Sequence, residues 1–346
     1  MGLVPDEKRH GFAALDALRG VAAIGVMMFH YGVYAQRPWM ANGFLAVDFF
    51  FLLSGFVIAH AYGVQPRWWP FLRRRIIRLY PLFVLVMTGS LVAALAQQMG
   101  LTTNLAHYLL GLLMLPSPRA LLADPPDPIL WVFPLSPPSW SLSLELWVNV
   151  MYAFFGVWMM RWKRLWLPVA AGVLIYTAYY YPTVDMGSNG PTYAGGWARV
   201  AWSFFAGVAL QQLYAAKARQ EVPAGMTLIG GLFLMEIFLV PWEYRSLRLA
   251  AILLLFPLIV WVMAHVRLTG IARRAAIWLG EISYPLYLIH LPLYPFLFPR
   301  IGTWLGIWPR LVWRVTLVGV ITVLLAWGLF LIYDRPVRRW LTRRWR

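Results

Sequence analysis

Three properties of this sequence predict an all-α, polytopic transmembrane helical bundle. Hydrophobic residues fill 61% of its 346 positions and charged residues only 12%, too few to cover a soluble domain of this length. The apolar residues gather into blocks such as Val21–Met28, Phe49–Ile58, Pro81–Ala96 and Ala250–Ala264. Each belongs to a run near the ~20 residues that a helix needs to cross about 30 Å of hydrocarbon. Twenty Trp and seventeen Tyr suit a chain with two membrane–water interfaces, where such rings collect.

Taken in order, the blocks place spans at roughly 13–34, 44–63, 79–97, 140–160, 165–181, 198–214, 225–241, 247–265, 277–297 and 311–333. The first begins with Asp16 and Arg19 and lacks a small-residue cleavage site, so it reads as a retained span and not a secretory signal. Segment 105–116 is apolar but short, as a re-entrant or interfacial helix would be. The Pro-rich stretch 116–138 is an expected outer loop, since proline at that density cannot continue a helix. It is either a lid, an acceptor-side wall or a plain connector. No repeat, low-complexity stretch or appended soluble domain is expected, which leaves one domain over 1–346 with its core at 10–340.

Charge placement tests the count. With ten crossings and both termini cytoplasmic, 22 of the 30 Lys and Arg fall inside and 8 outside, Arg199 being counted outside. Asp124, Asp127 and Asp185 fall in outer loops. A separate crossing at 105–116 would invert everything after it and erase the asymmetry. The net charge of +17 invites a nucleic-acid partner, but the cations sit in short clusters between apolar blocks and not along one face, which argues against it. With no cysteine in the chain, disulfides, thiol nucleophiles and Cys-ligated metals are excluded, and no metal site is expected.

Ionisable groups in hydrocarbon are costly unless paired, so each one inside a span is a functional candidate. Arg19 and His30 are eleven residues apart in the first span, which puts them on one helix face about 16 Å apart along the axis. Asp48 lies at a depth similar to His30 on the next span. A carboxylate beside an imidazole can orient it as a general base, or the two can form a structural buried pair. Ser141 and Glu145 are i,i+4 neighbours opening the fourth span. No G-x-S-x-G turn surrounds Ser141, so interhelical hydrogen bonding outweighs a nucleophile there. Ser283, Tyr287 and His290 form a polar stripe in the ninth span. Arg73, Arg74, Arg75 and Arg78 crowd the inner end of the third, either as a topology anchor or, for Arg75 and Arg78, as a fork for phosphates.

Several stretches, read in order, resemble the membrane-bound acyltransferase 3 family. Leu15–His30 (LDALRGVAAIGVMMFH) is similar to its Arg-x10-His signature. Gly43–Phe56 (GFLAVDFFFLLSGF) resembles its Val-Asp-x-Phe-Phe-x-Leu-Ser-Gly-Phe element, and Arg73–Pro81 (RRRIIRLYP) its Arg-x-x-Arg element. Ser139–Glu145 (SWSLSLE), Leu279–Pro292 (LGEISYPLYLIHLP) and Tyr333–Trp340 (YDRPVRRW) are similar to further elements. Ala46 stands where Gly is frequent, Asp334 where Glu is usual, and the aromatic residue that often follows the Trp-Ser-Leu-x-x-Glu element is shifted or absent.

The resemblance implies ten core spans and acyl transfer, most often of acetyl, from cytoplasmic acyl-CoA to a hydroxyl of a cell-surface sugar or related acceptor. Carried onto this chain, His30 is the base and Asp48 its orienting partner. Arg75 and Arg78, helped by Arg19, take the donor's phosphates. Trp140, Ser141, Glu145, Ser283, Tyr284 and His290 support the acceptor or the structure. The expected partners are the lipid bilayer, acyl-CoA and a carbohydrate or other hydroxyl-bearing acceptor, and the expected location is the bacterial cytoplasmic membrane. The rival reading is a sugar or lipid exporter without chemistry, which would call for Gly/Pro-broken helices at matching places in two halves.

Overall fold

Hydrocarbon offers the backbone no hydrogen-bond partners, so an apolar chain of this kind closes its bonds locally, in helices. The computed structural model describes residues 11–345 except 38, 98–99, 124–129, 218–220, 242–243 and 305–310. Lys8, Arg9, Arg219, Arg310, Arg346, Asp124 and Asp127 of the charge count therefore lie outside the described residues. Along the chain run α1 (Ala13–Tyr34), α2 (Ala46–Tyr62), α3 (Trp68–Ala96), α4 (Leu101–Leu112), α5 (Ser139–Arg161) and α6 (Lys163–Tyr180). They are followed by α7 (Tyr193–Ala216), α8 (Met226–Leu239), α9 (Arg245–Ala264), α10 (Gly270–Trp304), α11 (Leu311–Leu329) and α12 (Arg335–Arg344). Among the described residues, extended pairing is limited to two isolated bridges.

Six stretches among the described residues are long and apolar enough to cross a membrane: Ala13–Tyr34, Gly43–Tyr62, Trp68–Ala96, Ser139–Arg161, Arg245–Ala264 and Val312–Arg344. The other four expected spans are helical but shorter or more polar. Helix α8 has 14 residues, about 21 Å of rise. Helices α6, α7 and α10 carry Lys163 and Arg164, Arg199, and Glu281 and His290 respectively. Several boundaries differ from expectation, α10 being longer at both ends and two others running through basic clusters. Helix α3 starts eleven residues before position 79, so the arginine cluster lies inside its first turns. Pro70 is tolerated there because first-turn N–H groups have no helical acceptor. The last span likewise continues into the basic helix α12.

Proline also shapes the interior of two helices. Residues Ala251–Leu255 of α9 and Phe330–Asp334, between α11 and α12, widen into π turns. Each ends two residues before a proline, Pro257 and Pro336. Proline cannot donate to the carbonyl four residues back and crowds it, and local widening relieves both problems.

The chain divides into two compact units, Met1–Ala61 with Ser203–Leu286, and Tyr62–Trp202 with Tyr287–Arg346. In the first, glycines let helices meet at backbone distance. A Cβ added at Gly20 of α1 would stand 2.6 Å from the Leu279 Cβ of α10, and one at Gly280 would stand 2.7 Å from the Asp16 Cβ. Side chains at Gly55 or Gly207 would collide with the carbonyls of Phe204 and Leu52 respectively. Asn42 ties the entry of α2 to the end of α8, taking its N–H to the Phe238 carbonyl at 3.0 Å and accepting from Arg248 Nε at 2.9 Å.

In the second unit α3 packs on α4, α5 and α12. Helix α4 has twelve residues, about 18 Å, too short to cross alone. Among the described residues, the stretch 116–138 holds one short helix, Pro118–Leu121. It is tied to the 184–192 segment: the Val132 N–H donates to the Ser188 carbonyl at 3.0 Å, and Trp131 bridges Asn189.

Candidate active site

In the first unit, Arg19 sits two turns into α1, where Gly20 and Gly280 bring α10 close. Its Nε donates to Ser283 Oγ at 3.1 Å, and its Nη2 donates to the Gly280 carbonyl and meets Asp16 Oδ1, both at 2.9 Å. Ser283 Oγ also donates to the Gly280 carbonyl, at 2.7 Å. Arg19 and Ser283, expected at a site, thus meet as a clamp between α1 and α10.

His30 lies eleven residues further along the same unbroken helix and is half-buried. Its Nδ1 is 2.9 Å from the Val26 carbonyl, one turn back. A carbonyl only accepts, so in the neutral ring the proton is on Nδ1 and the lone pair is on Nε2. The backbone carbonyl thus sets the tautomer of the ring. Asp48 is fully buried in the first turn of α2, where a helix N-terminus favours negative charge. Tyr284 is half-buried beside Ser283.

In the second unit, Arg75 Nη2 meets Glu145 Oε1 of α5 at 2.6 Å, with 11% and 21% of the two side chains exposed. Glu145 is thereby engaged with an arginine of the cluster, a pairing of α3 with α5 that the sequence did not suggest. Arg78 is within electrostatic reach of Asp334, itself fully buried and 2.6 Å from Arg338. Among the described residues, the buried Nε atoms of Arg73 and Arg75 have no hydrogen-bond partner. Ser141 Oγ is 2.6 Å from Tyr287 OH, and both hydroxyls reach the Pro138 carbonyl, at 3.2 and 3.1 Å. This arrangement fixes the mouth of α5 to α10. His290 is fully buried, its ring centroid 5.8 Å from that of Tyr287.

Arg199, counted on the outer side at the start of the span expected at 198–214, is fully buried. Its Nη1 donates to the Met186 carbonyl at 2.7 Å, Asp185 Oδ1 is 3.8 Å away, and the guanidinium lies 5.4 Å from the Trp140 ring centroid. Gly187 presses on the same ring with φ +117, a conformation only glycine adopts easily, and a Cβ there would strike the indole. Arg199 is the residue that sequence reasoning missed, although the span expected at 198–214 already contained it. Among the described residues no three metal-type side chains cluster.

Helices fit to span a membrane, with arginine, histidine and carboxylates buried among them, define the class: a helical membrane protein with ionisable chemistry in its interior. Comparison with known proteins narrows it. The acyltransferase 3 family, described as an acyltransferase domain, matches residues 12–331, and the chain belongs to that family. It is 39% identical over 191 residues to protein 2 in the picA locus of Rhizobium radiobacter, covering 48% of this chain and 94% of that protein. It is 31% identical over 182 residues to acyltransferase MdmB of Streptomyces mycarofaciens, covering 46% of this chain and 43% of that one. A Staphylococcus aureus protein with an O-acetyltransferase designation is 35% identical over 57 residues, 16% of this chain and 9% of that protein. The chain thus spans less than half of the two relatives whose names state an acyltransferase activity. No solved structure matches.

Proposed function

We propose that this acyltransferase moves an acyl group, acetyl foremost, from cytoplasmic acyl-CoA to a hydroxyl of a sugar or glycan. In this reading ten helices cross the bacterial cytoplasmic membrane with both termini inside. The observation that carries the chemistry is His30, whose Nδ1 is held on the Val26 carbonyl so that Nε2 presents the lone pair. Nε2 takes the proton of the acceptor hydroxyl as its oxygen attacks the thioester carbonyl. The C–S bond then breaks, and CoA leaves as a thiol once the proton is returned to sulfur. Asp48 steadies the imidazolium that forms between the two steps.

The donor carries phosphates, and the arginine cluster suits them. Arg75 and Arg73 each keep a buried Nε donor with no protein partner among the described residues, and a guanidinium fork matches phosphate oxygens. Glu145 holds Arg75 by one Nη2, which fixes the plane of the fork. Arg78 is the second phosphate candidate, and Arg19 of the first unit is a candidate that the family resemblance implies. Trp140, Ser141, Ser283, Tyr284 and His290 shape the acceptor side or support it.

The test is release of free CoA thiol by purified protein given acetyl-CoA and candidate sugars, alongside mass spectrometry of surface glycans from cells with and without it. Acceptor-dependent thiol release that fails in His30→Ala supports the reading. A His30→Ala protein that folds and acylates at the normal rate overturns the mechanism.

A further inference from the structure

Helix α4 presents three different faces. Leu101, Leu105, Leu109 and Leu113, four residues apart, are 61, 43, 54 and 64% exposed and make a stripe suited to hydrocarbon. A second face is fixed to α3, with Thr88 Oγ1 and Tyr108 OH 2.9 Å apart and Met87 Cε where a Cβ on Gly111 would be. The third face looks across to the turn that follows, and between them lies a hollow of about 490 Å³. The hollow is wide open to its surroundings, so it can cradle a headgroup at the surface but not enclose a ligand.

The lining of this hollow mixes polar and apolar groups. Thr102, Thr103, His107, Ser117 and Arg119 supply hydroxyls, an imidazole and a guanidinium. From His107, Leu110 and Ser117 the wall continues as Met87, Val132 and Phe133. Arg119 is near enough to His107 that, after burial, it is the second cause holding the imidazole below its ordinary pKa. A standing positive potential of that kind favours an anion. The rims are lipid-like on both sides, since Leu122 beyond Arg119 is 79% exposed.

We propose that this hollow binds the phosphate headgroup of an anionic membrane lipid, with Arg119 as the charge partner. The phosphate oxygens sit against Arg119 and the threonine hydroxyls, and the acyl chains lie along the leucine stripe. Charge complementarity selects the phosphate, and the flanking leucines select a lipid over a free ion. The lining includes none of the side chains proposed for acyl transfer, and the proposal requires only that the chain is in a membrane.

The experiment uses the full chain in a neutral detergent and measures lipid retention by native mass spectrometry. Phosphatidylglycerol is compared with diacylglycerol of the same chains and with inorganic phosphate as competitor. Wild type is expected to retain phosphatidylglycerol over diacylglycerol. Arg119→Glu should weaken that retention by about fivefold or more, fivefold being the equivalent of the ~1 kcal/mol per basic residue near an anionic surface. Arg119→Lys should keep most of it, and Thr103→Trp, which fills the hollow without changing charge, should lose it. Phosphatidylglycerol should also raise the titration midpoint of His107 in wild type and not in Arg119→Glu. Equal retention by Arg119→Glu, or equal binding of diacylglycerol, would overturn the proposal. Displacement by millimolar inorganic phosphate would also overturn it, as a site for free phosphate.

Discussion

The side chains proposed for chemistry are held mainly by groups near them in sequence or on one neighbouring helix, so each can be tested singly. His30→Ala is expected to lower acceptor-dependent turnover by about 10²–10⁴-fold, the usual contribution of a positioned general base, with acyl-CoA affinity unchanged. A calorimetric or fluorescence titration of the donor separates the two effects. Arg75→Ala should raise the KM for acyl-CoA while leaving kcat near its wild-type value, and an unchanged KM would confine Arg75 to anchoring α3. Glu145→Ala leaves the largely buried Arg75 without its carboxylate. Removing one partner of a buried pair costs about 3–5 kcal/mol, so a clear fall in Tm in detergent is expected, with Glu145→Gln falling less.

Among elements, the close approach of α1 to α10 depends on residues without side chains. Gly20→Leu or Gly280→Leu must push the helices apart at the level of the Arg19 clamp, and overpacking of this kind costs about 1–3 kcal/mol. Both should lower Tm, and Gly20→Ala, the smaller intrusion, should lower it less. Helix existence was legible because long apolar runs admit little else in hydrocarbon: α1 begins and ends where the first block does. Helix ends were less legible. The start of α3 at Trp68 was hidden because arginines read as loop, whereas their long stems let a helix run on through the interface. The seating of Arg199 was hidden for a related reason. A lone arginine near a span end reads as a surface charge, and its acceptors, Met186 and Asp185, come from a loop with no periodicity to place it. Likewise Glu145 was visible as a buried carboxylate, but nothing in its spacing named Arg75, seventy residues earlier, as its partner.

At the scale of the whole molecule, the ten-span arrangement is open to direct measurement because the chain has no native cysteine. Single substitutions Pro182→Cys, at an exposed position in the connection between α6 and α7, and Arg344→Cys each give a unique thiol. A membrane-impermeant maleimide applied to intact spheroplasts should label the first and not the second, and both should label after permeabilisation. The reverse pattern would invert the orientation, and labelling of both in intact cells would rule out an odd number of crossings between them.

Arg199 bears on biogenesis. If α7 is one of ten spans, inserting it alone would carry an uncompensated guanidinium into the membrane, at a cost of at most about 2.5–3.5 kcal/mol, the translocon-derived value for a helix centre. The Met186 carbonyl and the Trp140 ring remove that penalty only after the stretch ahead of the helix has closed. In the ten-span arrangement, stable entry of this helix into the membrane and maturation of the preceding loop would then be one event, and an Arg199→Leu chain would separate them.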